Sequence, residues 1–165
     1  MPEAAFALGL CATGFHWLNE NQALTKIARL LRPGGWWAML CNVFGNPNRA
    51  DPFHERTKSL LDGPTSPSAG ASGLPFALEA PARLTALRAT QAFDATEHQK
   101  SACQITLDSD QIAALYATYS NISIRPDRAA LLAALKRIAR EEFAGRVTRN
   151  MVTSLYIVRR AQRPV

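Results

Sequence analysis

The stretch Thr13-Gly14-Phe15-His16-Trp17 contains residue types that could do chemistry. An imidazole with an ordinary pKa near 6.5 can take a proton or orient an acceptor, so His16 is a candidate base; alternatively it bonds neighbouring backbone and only shapes the loop. Gly14 permits close backbone approach. Trp17 either packs against the segment that follows or offers a stacking platform. Asn42 and Phe44 end an apolar run and either contact a ligand or form a turn. Tyr119 and Ser120 follow an apolar stripe, and Tyr119 also continues that stripe. Arg125, Arg128 and Arg149 could pair a carboxylate bidentately, although each taken alone reads first as a solvated surface charge.

Metal and disulfide chemistry find little support. Cys11, Cys41 and Cys103 form no C-x-x-C, and an odd count argues against a disulfide framework, so they read as buried thiols. His16, His54 and His98 lie far apart, without carboxylate or cysteine at ligand spacing, so no metal is expected.

The elements that must position these residues are legible locally. Ala4 to Ala12 is uncharged and apolar, the length of a strand, and Thr13-Gly14 bounds it. Asn19 can cap a helix starting near Glu20, with Gln22 reaching back as in a capping box. Ala23, Leu24, Ile27, Ala28 and Leu31 then share one face. Pro33 disfavours helical geometry at Arg32, and Gly34-Gly35 allow a sharp exit. Trp36 to Cys41 has neither charge nor alternation, the pattern of a strand covered on both faces in a parallel sheet. Strand, helix, strand make a right-handed βαβ unit over residues 1–45.

Downstream, Asp51-Pro52 predicts a helix start and a helix to about Asp62. Gly63 to Gly73 reads as a loop or small lid. Phe76 to Ala92 has a helical hint interrupted by Pro81, and Phe93 to Leu107 looks extended. Ser109 can cap a helix bearing Ile112, Leu115, Tyr116 and Tyr119, and a second helix from about Asp127 to Ala144 stops at Gly145. Met151 to Val158 returns as an apolar strand.

Phe6-Ala7-Leu8, Ala12-Thr13-Gly14-Phe15-His16-Trp17-Leu18-Asn19 and Leu30-Leu31-Arg32-Pro33-Gly34-Gly35 together resemble the middle of a class I S-adenosylmethionine-dependent methyltransferase of the small-molecule type. Leu115 to Ile122 and Ser154 to Arg160 are similar to the branch that includes trans-aconitate-type enzymes. The resemblance implies an α/β, partial Rossmann-like methyltransferase fold: strands four to seven of a seven-stranded sheet, a substrate-covering helical insertion over 109–145, and a last antiparallel strand over 147–160. It implies S-adenosylmethionine as cofactor and places its sulfonium end at Thr13, Gly14, Phe15 and His16, with Trp17, Asn42, Phe44 and Tyr119 toward the acceptor. Methyl transfer asks for in-line approach, an apolar cage and, for some acceptors, a base, so no unique catalytic motif is expected.

Members of this family hold the cofactor chiefly with a glycine-rich turn after the first strand and an acidic residue ending the second. The nine glycines here include no Gly-x-Gly, Met1 sits just before the strand resembling the fourth, and Ala7 stands where the family usually carries Asp. The expectation is a single truncated domain, the C-terminal part of such an enzyme and inactive alone. The competing expectation is a non-catalytic remnant or interaction module retaining half of the fold.

A net charge of +6 would suit nucleic acid if clustered, but the basic residues are spread along the chain, and Arg159, Arg160 and Arg163 lie at a terminus. Nucleic acid is therefore not the expected partner; a small-molecule acceptor is. Neither a bilayer-length apolar run nor a signal-like N-terminus is present, so a cytoplasmic location is expected. The first strand, lacking a neighbour on one side, predicts self-association through its uncovered edge.

Overall fold

The computed structural model describes residues 2–63, 66 and 68–162. The elements in order are β1 (Phe6–Ala12), α1 (Glu20–Leu30), β2 (Leu31–Phe44), α2 (Pro52–Leu61), α3 (Ala80–Ala89), β3 (Phe93–Asp108), α4 (Ser109–Ala117), α5 (Ser120–Ser123), α6 (Arg128–Glu142) and β4 (Arg146–Arg160). Single 3-10 turns cover Phe15–Trp17 and Phe76–Leu78. The strands form one sheet in the order β1-β2-β4-β3, with β1 parallel to β2. Cross-strand bonds show β4 antiparallel to its neighbours: Thr153 Oγ1 donates to Asn42 Oδ1 at 2.8 Å and the Gly45 amide to the Asn150 carbonyl at 2.9 Å, while Asp94 meets Arg159 and Thr106 meets Thr148.

The expected βαβ unit is present, and its turn explains the glycine pair. Asn19 Oδ1 accepts the Gln22 amide at 3.1 Å, one half of the expected capping box. Helix α1 ends at Leu30, and Leu31 already pairs with Phe6, while the next paired residue is Trp36 opposite Leu8. Residues 32–35 therefore bulge out of the ladder. Gly34 takes φ +74°, and a Cβ on Gly35 would lie 2.8 Å from the Arg32 carbonyl, 3.0 Å from that of Phe6 and 3.2 Å from that of Ala7. Rigid backbone on three sides leaves no room for a methyl group. Gly35→Ala is expected to cost about 1–3 kcal/mol through overpacking, read as a lowered denaturation midpoint, whereas Gly14→Ala, where the nearest atom would lie 3.7 Å away, should cost less.

The chain divides into two compact units. One comprises Met1–Val43, Ser68–Ser101 and Thr153–Val165. Its core is Phe15, Leu24, Leu31, Trp37, Met39, Cys41, Ala77, Leu87, Tyr156 and Val158, drawn from α1, α3 and one face of the sheet. Here the structure corrects an expectation: β2 is not covered on both faces. Trp37, Met39 and Cys41 are buried, whereas Ala38 and Leu40 are half-buried and Trp36 is exposed. Helices cover one side only, so a uniformly apolar strand acquires an alternating burial.

The other unit comprises Phe44–Pro67 and Ala102–Val152. Phe53, Ile112, Tyr116, Ile122, Leu131, Leu135, Ile138, Ala139 and Val147 form its core. Asp51 caps α2 as expected, its Oδ1 accepting the His54 amide at 3.0 Å. Gly145 ends α6 region at φ +73°.

Two boundaries and one burial differ from expectation. Pro81 does not interrupt a helix but sits in the first turn of α3, where its missing N–H costs nothing. The cap of α4 is Asp108, not Ser109: its carboxylate accepts the Gln111 amide at 2.8 Å while the Gln111 side chain accepts the Asp108 amide at 2.9 Å. Cys103 is exposed on β3, so only Cys41 is a fully buried thiol. Of the expected Gly63 to Gly73 loop, Pro64, Thr65 and Pro67 lie outside the described residues. In the remainder, Glu79 Oε1 accepts the Ser72 amide at 2.6 Å and the Gly70 amide donates to the Leu74 carbonyl at 2.7 Å, which folds the segment back on itself.

Candidate active site

The carboxyl ends of β1 and β2 carry the loop Thr13–Trp17 and Asn42. Ala12 is opposite Leu40 in the parallel ladder, and the Thr13 amide donates to the Leu40 carbonyl at 2.8 Å, so the first loop and the last residues of β2 emerge at the same end. That edge is where open α/β sheets bind ligands.

Thr13 is exposed and takes φ +48°, unusual for a residue with a branched Cβ. Gly14 takes φ −143°, and a Cβ there would meet only ordinary contacts, 3.7 Å from the Ala12 carbonyl and 4.0 Å from Cys11 Sγ. The strained position in the turn is therefore Thr13 rather than the glycine. Phe15 is 1% exposed, its ring 5.1 Å from that of Trp37 and 6.4 Å from that of Phe76. Its side chain anchors the loop in the core and leaves only backbone to face a ligand.

His16 is half-buried, 5.7 Å from the Trp17 ring. Burial lowers its pKa from the ordinary 6.5, which keeps the imidazole neutral at neutral pH and able to accept a proton. Trp17 is 59% exposed, so it is not a packing residue and its indole is open to solvent. Asn42 is exposed, with its Oδ1 engaged by Thr153.

The unit with Phe44 and Tyr119 holds a second constellation. Arg149 is buried, its Nε donating to Asp51 Oδ2 at 2.8 Å and its Nη1 to the Tyr116 hydroxyl at 2.7 Å. Phe44, Phe53 and Tyr116 line the guanidinium, with ring centroids 5.5, 5.9 and 5.5 Å away. The Tyr119 ring lies 5.1 Å from that of Tyr116, and burial pushes its hydroxyl pKa well up, as it does that of Tyr116. Burial opposes the Arg149 charge, but Tyr116 and the Asp51 carboxylate hold its pKa up.

Arg149 is thus no solvated surface charge, and two of its donors are already occupied by the chain itself. Arg125 is likewise engaged, by Asp127 and by the Leu60 and Asp62 carbonyls. Arg128 is exposed. Asp51, Phe53 and Tyr116 are the members of this group that residue patterns did not single out: Asp51 carried only a helix-cap signal, Tyr116 only an apolar-stripe signal and Phe53 none. The pairing joins residues 98 positions apart.

Two depressed imidazoles give the fold a pH dependence. His98, stacked on Tyr156 at 4.2 Å and bonded to Ser154 Oγ at 2.9 Å, has its pKa lowered by burial and by Lys100, as burial lowers that of His16. As pH falls through about 6.5 the unfolded chain takes up these protons before the folded one does, so stability declines toward the lower folded pKa values. The thermal midpoint should drop between about pH 7.5 and 5.5, and His16→Gln with His98→Gln should flatten that slope. A midpoint independent of pH in the wild-type chain would contradict it.

No protein-family model matches the chain, and no curated protein sequence matches it. Solved structures do. A protein designated a type II methyltransferase from Anaeromyxobacter dehalogenans aligns with all of this chain and 68% of its own, at 17% identity and TM-score 0.54. A protein designated a methyltransferase from Bacillus halodurans C-125 aligns over 98% of this chain and 72% of its own, at 14% identity and TM-score 0.52. The chain has part of the class I methyltransferase fold. It spans only 53% of the [4+2]-cyclase SpnF, at 20% identity and TM-score 0.46, a likeness too loose to bear on the fold. Among the described residues no group of three or more His, Cys, Asp or Glu could hold a metal, and no helix is long and apolar enough to cross a membrane.

Proposed function

We propose that this chain supplies the acceptor side of an S-adenosylmethionine-dependent methyl transfer site, with a small molecule as acceptor. The observation that carries this reading is the emergence of Thr13–Trp17 and Asn42 together at the carboxyl ends of adjacent parallel strands, within part of a methyltransferase fold. The loop fits a sulfonium. It carries no Lys or Arg, His16 is held neutral, and an open indole at Trp17 can face a cation. Thr13, Gly14 and His16, with the backbone of Phe15, would hold that end of the cofactor, which when bound supplies the electrophilic methyl group. His16 would accept a proton from the acceptor; Trp17 and Asn42 are the acceptor contacts we assign in this unit.

The remainder of the cofactor has no such fit. These 165 residues contain no Gly-x-Gly turn, and Ala7 offers no carboxylate. In this reading the chain is a truncated methyltransferase domain, inactive by itself, acting in the cytoplasm.

The test is an amide-resolved titration of the labelled chain with S-adenosylmethionine at millimolar concentration. Shifts gathered at Thr13–Trp17 and Asn42 support the assignment. Shifts confined to other residues, or none at saturating ligand, overturn it.

A further inference from the structure

Arg83, in the first turn of α3, is 9% exposed, yet neither its Nε nor its Nη1 has a hydrogen-bond partner among the described residues. Glu20 Oε1 lies 3.0 Å from Nε, near enough to pair the charges but off the N–H direction. Arg149 differs, since the same two nitrogens are hydrogen-bonded there. Buried donors left without partners lose hydration and gain nothing in exchange, so stability alone does not account for a guanidinium held this way. Its contacts do. The group lies on the Phe76 ring, 3.6 Å from guanidinium carbon to centroid. Phe76 is also a ring neighbour of Phe15, the anchor of the loop over residues 13–17, and Glu20 is the first residue of α1, at the exit of that loop. Two contacts thus compete for the orientation of one planar group, and the hydrogen bond to Glu20 is the one forgone.

We propose that Arg83 is the positioning residue of loop 13–17, tying the loop's exit at Glu20 and its anchor at Phe15 to the segment over residues 68–79 through one stacked guanidinium. That segment is a fixed support. The Phe76 amide donates to the Ser68 carbonyl at 2.8 Å, the Tyr156 hydroxyl donates to the Ala77 carbonyl at 2.8 Å, and Glu79 accepts the Ser72 amide. A side chain on Gly70 would collide with the Glu79 carboxylate, so the glycine is what lets the segment close around it. Phe76 is therefore held from one side by its own segment and from the other by Arg83.

The charges suit a tie rather than a ligand site. Glu20 and Glu79 both act on Arg83, and the Tyr156 phenol lies within reach of its field, so the cation is compensated inside this unit and needs no anion from outside. Burial raises the Glu20 pKa and Arg83 pulls it back, the electrostatic mark of the same contact. That loop 13–17 faces a cofactor rests on the function proposed above. The tie itself does not, and its test needs no ligand, so a failed titration with cofactor and a failed tie are told apart.

Amide exchange on the variant Glu20→Gln plus Arg83→Met tests it. Removing both charges while keeping the side-chain volumes should leave the global denaturation midpoint near the wild-type value. The Trp17, Leu18 and Gln22 amides, bonded to the Gly14 and Phe15 carbonyls and to Asn19 Oδ1, should exchange about tenfold faster than in the wild-type chain, with the rest unchanged. Arg83→Lys keeps a charge beside Glu20 but no plane on Phe76, so it should speed Trp17 and Leu18 and spare Gln22; it also decides the matter if the double variant does not fold. Acceleration spread evenly over the chain with a lowered midpoint makes Arg83 an ordinary core residue and overturns the proposal. Unchanged exchange at the three amides overturns it as well, and Arg83→Lys with wild-type exchange at Trp17 and Leu18 overturns the route through Phe76.

Discussion

Asp51→Ala is expected to destabilise the chain by about 3–5 kcal/mol, read as a fall in the denaturant midpoint. Arg149 is 3% exposed, and its Nε bond to Asp51 is one of two side-chain bonds that stabilise its charge away from water. Removing the carboxylate leaves a buried cation facing three aromatic rings, with only the Tyr116 hydroxyl as partner. The same change deletes the cap of α2. Two losses coincide in one residue. Replacing both partners, Asp51→Asn with Arg149→Met, should recover most of the loss, because the asparagine can still cap and the methionine carries no charge to strand. A double variant as unstable as the single would show that packing around Arg149, rather than its charge, dominates.

Phe15→Ala is expected to cost about 3–5 kcal/mol and to loosen the loop it anchors. The ring is 1% exposed between Trp37 and Phe76, so truncation opens a cavity that strand β2 cannot easily close. Because Thr13, Gly14 and His16 have no comparable anchor of their own in the core, their order depends on it. Amide exchange of residues 13–17 should accelerate well beyond the global effect. A uniform acceleration across the chain would mean that Phe15 serves the core alone.

Much of the first βαβ unit can be read from short-range chemistry. Asn19, Pro33, Gly34 and the apolar periodicity of α1 act within a few residues of themselves, and the elements form where those signals fall. Gly35 is only half legible. Its position after Pro33 signals a turn, but the crowding that excludes a side chain comes from Phe6 and Ala7, which only strand pairing brings near. Arg149 is the sharper case. A single arginine between Thr148 and Asn150 has no local mark of burial; its carboxylate is 98 positions away and its environment is assembled from Phe44, from Asp51 and Phe53, and from Tyr116. Trp36 to Cys41 misleads for the opposite reason, since uniform apolarity signals two covered faces and the described chain covers one.

In the loop after β1, residue types gave no sign of which side chain anchors it and which are presented. Phe15 holds, His16 and Trp17 are presented, and Thr13 carries the unusual backbone conformation.

Calorimetric titration of the folded chain with S-adenosylhomocysteine tests the central claim most directly. The account predicts no binding in the micromolar range, because these residues provide the sulfonium-facing loop without a glycine-rich turn or an acidic strand end. Micromolar binding would contradict it, and would mean that strands β1 to β4 hold a complete cofactor site by means that Thr13–Trp17 and Asn42 alone do not explain.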